Sequence, residues 1–288
     1  MIHSMTGYAA ATRDFGRGTL SLELKSVNSR FLDIGFRIAD ELRALEPQLR
    51  ELIGSRVNRG KVECRLSVAA VPGAPREAAV NTVLLEQLTQ WQEAVRRELP
   101  QAAPLTVADI LRWPGMLGDD SLPLADLQAQ GIELARGLLD ELVATRAREG
   151  QKLAAMIRER VGRMRALVDL AEPKLPTLLV EYQERLATRL REVLASAEEE
   201  RIRQEVGLFA ARIDVAEELS RLRTHLDEVA RVLDQGGAAG KRLDFLMQEL
   251  NREANTLASK SVSGEITSIA LELKLLIEQM REQVQNIE

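Results

Sequence analysis

The chain has 288 residues, of which 45% are hydrophobic and only 3% aromatic, and its 39 basic and 44 acidic side chains give a net charge of −5. This length predicts two structural units, whose cores must be built mainly from aliphatic side chains. The slight acidic excess disfavours a simple nucleic-acid-binding module. It does not exclude a nuclease, because a basic face can coexist with an acidic metal site.

The single cysteine, Cys64, rules out a disulfide within the chain and is typical of a reducing compartment. It falls in an alternating pattern, so we expect a small buried hydrophobic residue. No stretch approaches the roughly 20 apolar residues of a membrane span, and the first residues lack the pattern of a secretory signal. We therefore expect a soluble, cytoplasmic protein that does not contact the membrane.

Residues 1–123 have the pattern of an α+β domain. Hydrophobic residues that alternate with polar ones predict the strands of an antiparallel sheet. The alternating runs cover residues 19–27, 32–38 and 62–70. The glycines between Asp14 and Gly18 indicate a hairpin turn, and leucines at helical spacing predict a helix over residues 42–53. The sheet region is expected to end in the segment 71–75, which is rich in proline and glycine.

Helices are predicted after the sheet. Asn81 or Thr82 is expected to cap one helix and Thr106 a second, because these side chains accept hydrogen bonds from free backbone amides. The segment 118–123 is typical of an exposed loop.

From residue 124 onward the pattern is almost entirely helical. Apolar residues spaced by threes and fours indicate long helical arms over residues 124–204 and a helical domain over residues 205–288. Pro173 and Pro176 interrupt the arms, whereas the stepping continues without a break from residue 202 to residue 233.

After the glycine-rich segment 235–240, amphipathic helices are predicted over residues 242–257 and 266–287, and the last one suggests a docked terminus. The predicted architecture is therefore α+β: an N-terminal antiparallel-sheet domain, then a mostly helical region with long helical arms and C-terminal amphipathic helices.

Two pairs of carboxylates on the last helices are candidates for chemistry. Glu249 and Glu253 lie one helical turn apart, as do Glu278 and Glu282, so the members of each pair point the same way. Stacked carboxylates repel each other unless a positive group lies between them. That group is either a neighbouring side chain such as Arg252 on a solvated surface, or a divalent metal.

His225, one of 2 histidines, flanks the apolar stripe of a long predicted helix. Histidine serves as a general base or a metal ligand near neutral pH, although a lone histidine at such a boundary is more often structural. The sequence contains no Walker loop, CxxC pair, HExxH motif or nucleophile elbow.

Several motifs stand out at both ends of the chain. In the first half they are Ser4-Met5-Thr6-Gly7-Tyr8, Glu23-Leu24-Lys25-Ser26-Val27-Asn28-Ser29-Arg30-Phe31-Leu32-Asp33 and Arg59-Gly60-Lys61-Val62. In the second half they are Arg221-Leu222-Arg223-Thr224-His225-Leu226, the run from Leu243 to Thr256, Glu272-Leu273-Lys274, Glu278 and the run from Arg281 to Glu288. Among these, Gln248-Glu249-Leu250-Asn251-Arg252-Glu253-Ala254-Asn255-Thr256 is the most specific. Together these motifs resemble the YicC/YloC family of bacterial endoribonucleases.

The resemblance implies a cytoplasmic homo-oligomer, expected to be a hexamer, that cuts RNA with a divalent cation, Mn²⁺ or Mg²⁺. It implies a catalytic role for His225, Glu249 and Glu253. Metal ligands are expected among Glu249, Glu253, Glu278 and Glu282. The sequence departs from the family pattern at Ser29, where a histidine is expected, and this removes one possible base.

The same resemblance makes several basic residues candidates for holding RNA phosphates. They are Arg30, Arg59, Lys61, Arg252, Lys260 and Lys274. Because aromatic side chains are scarce, we expect recognition of RNA shape and backbone rather than base stacking as the main grip.

Two other functions remain open from the sequence. A non-catalytic RNA-binding adaptor that modulates another ribonuclease would bind RNA without metal-dependent cleavage. A purely structural helical scaffold would explain the apolar spacing but not the dense polar faces of the last two helices.

Overall fold

The computed structural model describes residues 1–15, 18–70, 80–117, 124–193 and 199–288. The predicted sheet end at 71–75 and the predicted loop at 118–123 lie outside the described residues. The turn predicted between Asp14 and Gly18 is described only in part, but the strands on either side of it pair as a hairpin.

Near the start of the chain, 4 strands form one sheet in the order β1-β2-β4-β3. The strands are β1 (Gly7–Asp14), β2 (Gly18–Val27), β3 (Leu32–Ile38) and β4 (Gly60–Ala70). The pairs β1–β2 and β2–β4 are antiparallel, whereas β3 and β4 are parallel. The predicted α+β class is thus confirmed, but the sheet is mixed and not purely antiparallel. The reason is the helical connection between β3 and β4, since parallel neighbours need a crossover.

One face of the sheet is covered by helices and forms the first core. The crossover consists of a 3₁₀ helix (Asp40–Leu45) and α1 (Glu46–Arg56), and both pack against the beginning of α4 (Leu124–Ala171). Six of the inward residues of β2 and β4 that were predicted from their alternation are buried here, and Val68 is partly buried. The six are Leu20, Leu22, Leu24, Val62, Cys64 and Leu66. Burial raises the pKa of the Cys64 thiol to about 12.

Further helices complete the described chain. They are α2 (Thr82–Glu98), α3 (Val107–Arg112), α5 (Leu175–Val193), α6 (Glu199–Ile213), α7 (Ala216–Gln235), α8 (Gly240–Lys260) and α9 (Gly264–Val284). The predicted caps are confirmed: Asn81 accepts from the Leu84 amide, and Thr106 and Asp109 form a capping box. The apolar stepping from residue 202 to 233 covers two helices, because α6 ends at Ile213 and α7 begins at Ala216.

The helix α4 has 48 residues, so it is about 72 Å long, and it takes part in both cores. Its first half packs on β1, β2 and α1, and its second half packs on α7 and α9. The second core lies between this half and the bundle of α7, α8 and α9. The predicted interruption near Pro173 is a 3₁₀ turn, Glu172–Lys174, after which α5 and α6 pack on each other.

The two ends of the chain meet beside the middle of α4. Ser4 and Ile287 form an isolated β-bridge, and the Glu288 amide donates to the His3 carbonyl (3.0 Å). The guanidinium of Arg146, only 2% exposed, donates to a carboxylate oxygen of Glu288 at 2.8 Å. Its Nε also donates to the Ser4 carbonyl at 2.6 Å. The predicted docking of the last residues is therefore confirmed, although α9 itself ends at Val284.

The segment 80–117 stands apart from both cores. It is closed by an isolated bridge between Val80 and Leu117, and neither α2 nor α3 packs extensively on another element in the described part of the chain. In the ranges that the structure describes, no helix combines the length and apolar character needed to cross a membrane.

Candidate functional site

The candidate site lies along the seam between α7 and α8, which follow each other after a short connection. Gly236 and Gly237 in that connection have φ angles of 67° and 77°, which favour glycine. Below the seam, Leu222 and Leu226 of α7 and Leu250 of α8 are fully buried. This apolar contact fixes how the polar edges of the two helices face each other.

Three side chains of types that can ligate a metal meet at this seam: His225 of α7 with Glu249 and Glu253 of α8. One ligand atom from each lies within 4.8 Å of the others. A cation such as Mg²⁺ with bonds of about 2.1 Å holds its ligands at most about 4.2 Å apart, so small side-chain movements complete a site. One imidazole nitrogen and two carboxylates suit Mn²⁺ well and Mg²⁺ through the carboxylates.

The charge on these carboxylates is only partly balanced by the chain itself. Glu253 is 4% exposed, and the Arg221 guanidinium lies 3.5 Å from its Oε1. Arg221 is held more tightly by Glu217, at 2.6 Å, and the hydrogen bond that its guanidinium donates to Glu217 raises the pKa of Arg221. A buried carboxylate with one distant and shared partner next to a second carboxylate favours a cation.

A partly buried ion pair extends the seam beyond Arg221. The Lys260 ammonium donates to Glu218 Oε1 at 2.8 Å and to the Asp214 carbonyl at 3.2 Å. Glu218 is 7% exposed, and its other carboxylate oxygen has no hydrogen-bond partner among the described residues. In this structure Lys260 therefore joins the start of α7 to the end of α8 and does not extend freely toward solvent.

Comparison with known proteins identifies the family. Residues 171–288 match the C-terminal part described as "Endoribonuclease YicC-like", and residues 2–155 match the N-terminal region of the same description. Two curated relatives are both named "Probable endoribonuclease YicC". The one from Haemophilus influenzae is 39% identical over 288 residues and covers 100% of each chain. The one from Clostridioides difficile is 27% identical over 296 residues, again covering 100% of each.

This chain belongs to the YicC-like endoribonuclease family. The resemblance drawn from its motifs is therefore confirmed. The most specific of those motifs, residues 248–256, is the part of α8 that carries both carboxylates of the site.

The YicC-like chain does not bring all of the predicted metal ligands together. Glu278 and Glu282 lie on α9 and are exposed, and the cluster formed by the described residues includes neither. Glu278 instead lies 3.5 Å from Arg281, one turn along its own helix. A carboxylate paired with an arginine on a solvated surface was the alternative to a metal site that the sequence left open for such spacing.

Three predicted RNA-binding residues of the first domain lie near one end of the sheet. The Arg30 guanidinium lies over the ring of Phe31, 5.3 Å from its centroid, and Arg59 Nε donates to the Ser29 carbonyl at 3.1 Å. Lys61 follows on the exposed side of β4. The side-chain amide of Asn28 donates to the Gln285 carbonyl at 2.7 Å, which links this end of the sheet to the end of α9.

The other predicted phosphate-binding residues differ in whether their charged groups already have a partner. The charged groups of Arg252 and Lys274 have no hydrogen-bond or ion-pair partner among the residues that the structure describes, whereas the ammonium group of Lys260 has two. Arg252 is exposed and lies three residues from Glu249, so its guanidinium remains available beside the site.

Sequence reasoning missed the residues that surround the cluster, above all Arg221 and its partner Glu217. A signal was present, because Arg221 lies one helical turn before His225 and therefore shares its side of the helix. Its approach to Glu253 depends on how α7 and α8 pack, which spacing within one helix does not specify.

Proposed function

We propose that this protein is a metal-dependent endoribonuclease that hydrolyses RNA phosphodiester bonds in bacterial RNA turnover. The observation that carries the proposal is the meeting of His225, Glu249 and Glu253 within 4.8 Å. Membership of an endoribonuclease family supports the substrate class. The donor set supports Mn²⁺ or Mg²⁺ as the cofactor.

Each member of the cluster has a role in this proposal. Glu249 and Glu253 hold the divalent cation through their carboxylate oxygens. The cation supplies positive charge that stabilises the phosphate as negative charge develops on it. His225 accepts a proton from the attacking water molecule, which an imidazole does well near neutral pH. Glu278 and Glu282, on the neighbouring helix, take no part in the cluster as it stands.

The RNA backbone is held on both sides of the site in this proposal. Arg252 and Lys274, which have no partner among the described side chains, contact phosphates next to the site. Arg30, Arg59 and Lys61 contact the strand farther away, at the end of the sheet. Lys260 acts indirectly, because its ammonium group is bound to Glu218 and to the backbone.

We further propose that the protein works in the cytoplasm as a homo-oligomer, expected to be a hexamer. The support comes from the segment 80–117, whose exposed large hydrophobic side chains have no cover within the described chain. They are Val80, Val83, Trp91, Val95, Leu99, Val107, Leu111, Trp113 and Leu117. Such patches mark surfaces where another protein chain packs, and tryptophan is enriched there.

Cleavage of a structured, end-labelled RNA tests the enzymatic proposal. The protein and its Glu249→Gln/Glu253→Gln variant are incubated with Mn²⁺, with Mg²⁺ and with EDTA. We expect internal cuts that need the metal and that fall at least about 100-fold in the variant. Isothermal titration with Mn²⁺ alone should show weakened metal binding by the same variant.

The matched control is Glu278→Gln/Glu282→Gln, which removes an equally spaced pair from the next helix. This control should keep cleavage and Mn²⁺ binding. Cuts that persist in EDTA and in the Glu249→Gln/Glu253→Gln variant would refute the proposed site. RNA that is bound but never cut would establish the adaptor function in place of the enzyme.

A further inference from the structure

One side of α8 carries an exposed aromatic ring and an unpaired cation on either side of the carboxylate Glu249. The ring of Phe245 is 57% exposed. Arg252 is also exposed, and its guanidinium has no partner among the described residues. Neither feature is needed to hold the helix in place, because the buried side of α8 is formed by other residues.

These residues form a single stripe along the helix. Phe245, Glu249 and Arg252 are spaced at i, i+4 and i+7, which places them on the same side. Along the helix axis the ring lies about 6 Å before Glu249, and Arg252 lies about 4.5 Å after it. A phosphate held at the cluster would therefore have a phenyl ring within one nucleotide's reach on one side and a guanidinium on the other.

We propose that Phe245 stacks on an unpaired base next to the bond that is cut, while Arg252 contacts the adjoining phosphate. This inference rests on the proposed function and adds to it a preference for substrate. A base inside a duplex has its faces covered by its neighbours, whereas an unpaired base can turn its face to an aromatic side chain. The protein therefore selects RNA in which a loop, bulge or single-stranded end reaches the seam.

The surroundings of the ring fit a nucleotide better than a second protein chain. In α7 and α8, every residue of which is described, Phe245 is the one exposed large hydrophobic side chain. The centre of a protein interface gathers several such side chains and has few charges. Phe245 instead has Arg242 three residues before it and Glu249 four residues after it, a polar setting typical of nucleic-acid contacts.

Fluorescence of 2-aminopurine tests the stacking directly and without cleavage. The probe replaces a loop base of a hairpin RNA, and binding is measured in EDTA so that the RNA stays intact. We expect quenching by the unaltered protein, loss of quenching with Phe245→Leu and its return with Phe245→Tyr. Binding of the hairpin should weaken about tenfold in Phe245→Leu, whereas binding of a fully paired RNA should not change.

Leu275→Ala is the matched control, because Leu275 is 59% exposed on the neighbouring helix α9. It should leave quenching and binding unchanged. Cleavage in Mn²⁺ should show the same contrast, with Phe245→Leu losing preference for the hairpin over the duplex. Thermal unfolding should be nearly the same in all variants, since the altered side chains are exposed.

Two results would overturn the inference and leave the proposed function intact. The first is Phe245→Leu cutting hairpin and duplex in the same ratio as the unaltered protein. The second is a Phe245→Leu variant whose molar mass in light scattering differs from that of the unaltered protein but whose quenching does not. The ring would then contact another copy of the chain. If the unaltered protein neither binds nor cuts either RNA, the proposed function fails as well.

Discussion

At the scale of single residues, Arg146 is a buried cation whose guanidinium donates to three different residues. Its side chain is 2% exposed, and it donates to the Ser4 carbonyl, to the Arg59 carbonyl and to the Glu288 carboxylate. Burial lowers the pKa of Arg146, and the Glu288 charge opposes that shift. A buried cation of this kind is stable only while its partner remains charged.

Removing the partner charge should therefore destabilise the protein. We expect Glu288→Gln to lower the free energy of unfolding by about 3 kcal/mol, because it leaves the buried guanidinium without a counter-ion. Urea denaturation followed by circular dichroism measures the change. Glu133→Gln breaks the exposed pair with Arg13 and should have little effect. An equal loss in the two variants would show that the Arg146 pair contributes no more than a surface pair.

The sequence indicated two members of the candidate metal cluster, Glu249 and Glu253, by their spacing, and the third, His225, by its residue type. The pair Glu249 and Glu253 follows from helical geometry alone, and the same rule pointed equally to Glu278 and Glu282. What distinguishes the pairs is which neighbouring helix each one faces. That depends on the packing of α7 against α8, and it brings His225 and Arg221 to the first pair.

At the scale of secondary-structure elements, glycines in α4 illustrate how tertiary contacts override propensity. Gly150 lies against the backbone of Ile2, and a Cβ at this position would come within 2.2 Å of the Ile2 carbonyl oxygen. Gly137, on the same helix, has open space around it. Both glycines should weaken an isolated helix equally. A difference in stability between their alanine variants therefore reports the contact of Gly150 with the first residues of the chain.

Alanine at these two positions should have opposite effects. Gly137→Ala should raise the free energy of unfolding by up to about 1 kcal/mol, because alanine favours the helix. Gly150→Ala should lower it, because the first residues must move away from α4. Thermal and urea denaturation of both variants checks the signs. Stabilisation by both changes would mean that the backbone near Ile2 moves away from α4 at little cost in free energy.

The elements themselves were predictable where their side chains alternate strongly. The runs of β2, β3 and β4 were found, but β1 was missed, because its inward positions carry Ala9 and Ala11 and give little contrast with the polar ones. The direction of β3 relative to β4 follows from the crossover through α1 and not from either strand. The end of α6 at Ile213 was missed, since apolar spacing continues across Asp214 and Val215.

At the scale of the whole molecule, the segment 80–117 presents both tryptophans of the chain to solvent. Trp91 is 53% and Trp113 40% exposed. Within the described ranges this segment has no extensive packing partner, so its apolar side is the surface on which the proposed homo-oligomer depends.

Light scattering after size-exclusion chromatography tests that assembly. The unaltered protein should have several times the mass of one chain, and Trp91→Glu should reduce it, because a charge replaces an apolar contact. Gln90→Glu adds the same charge to the same helix without removing a ring, and it should keep the larger mass. A single chain mass for the unaltered protein would rule out the homo-oligomer.

The shared helix α4 has a consequence for how the chain can be divided. The two matched family regions, 2–155 and 171–288, leave between them a stretch that lies wholly inside this helix. A gene fragment that ends there would carry at least 32 of the 48 residues of α4, with part of an apolar stripe and no bundle to cover it. The complementary fragment would lack most of the helix that closes its core. Sequence comparison thus recognises two modules, but we expect neither module to fold when it is expressed without the other.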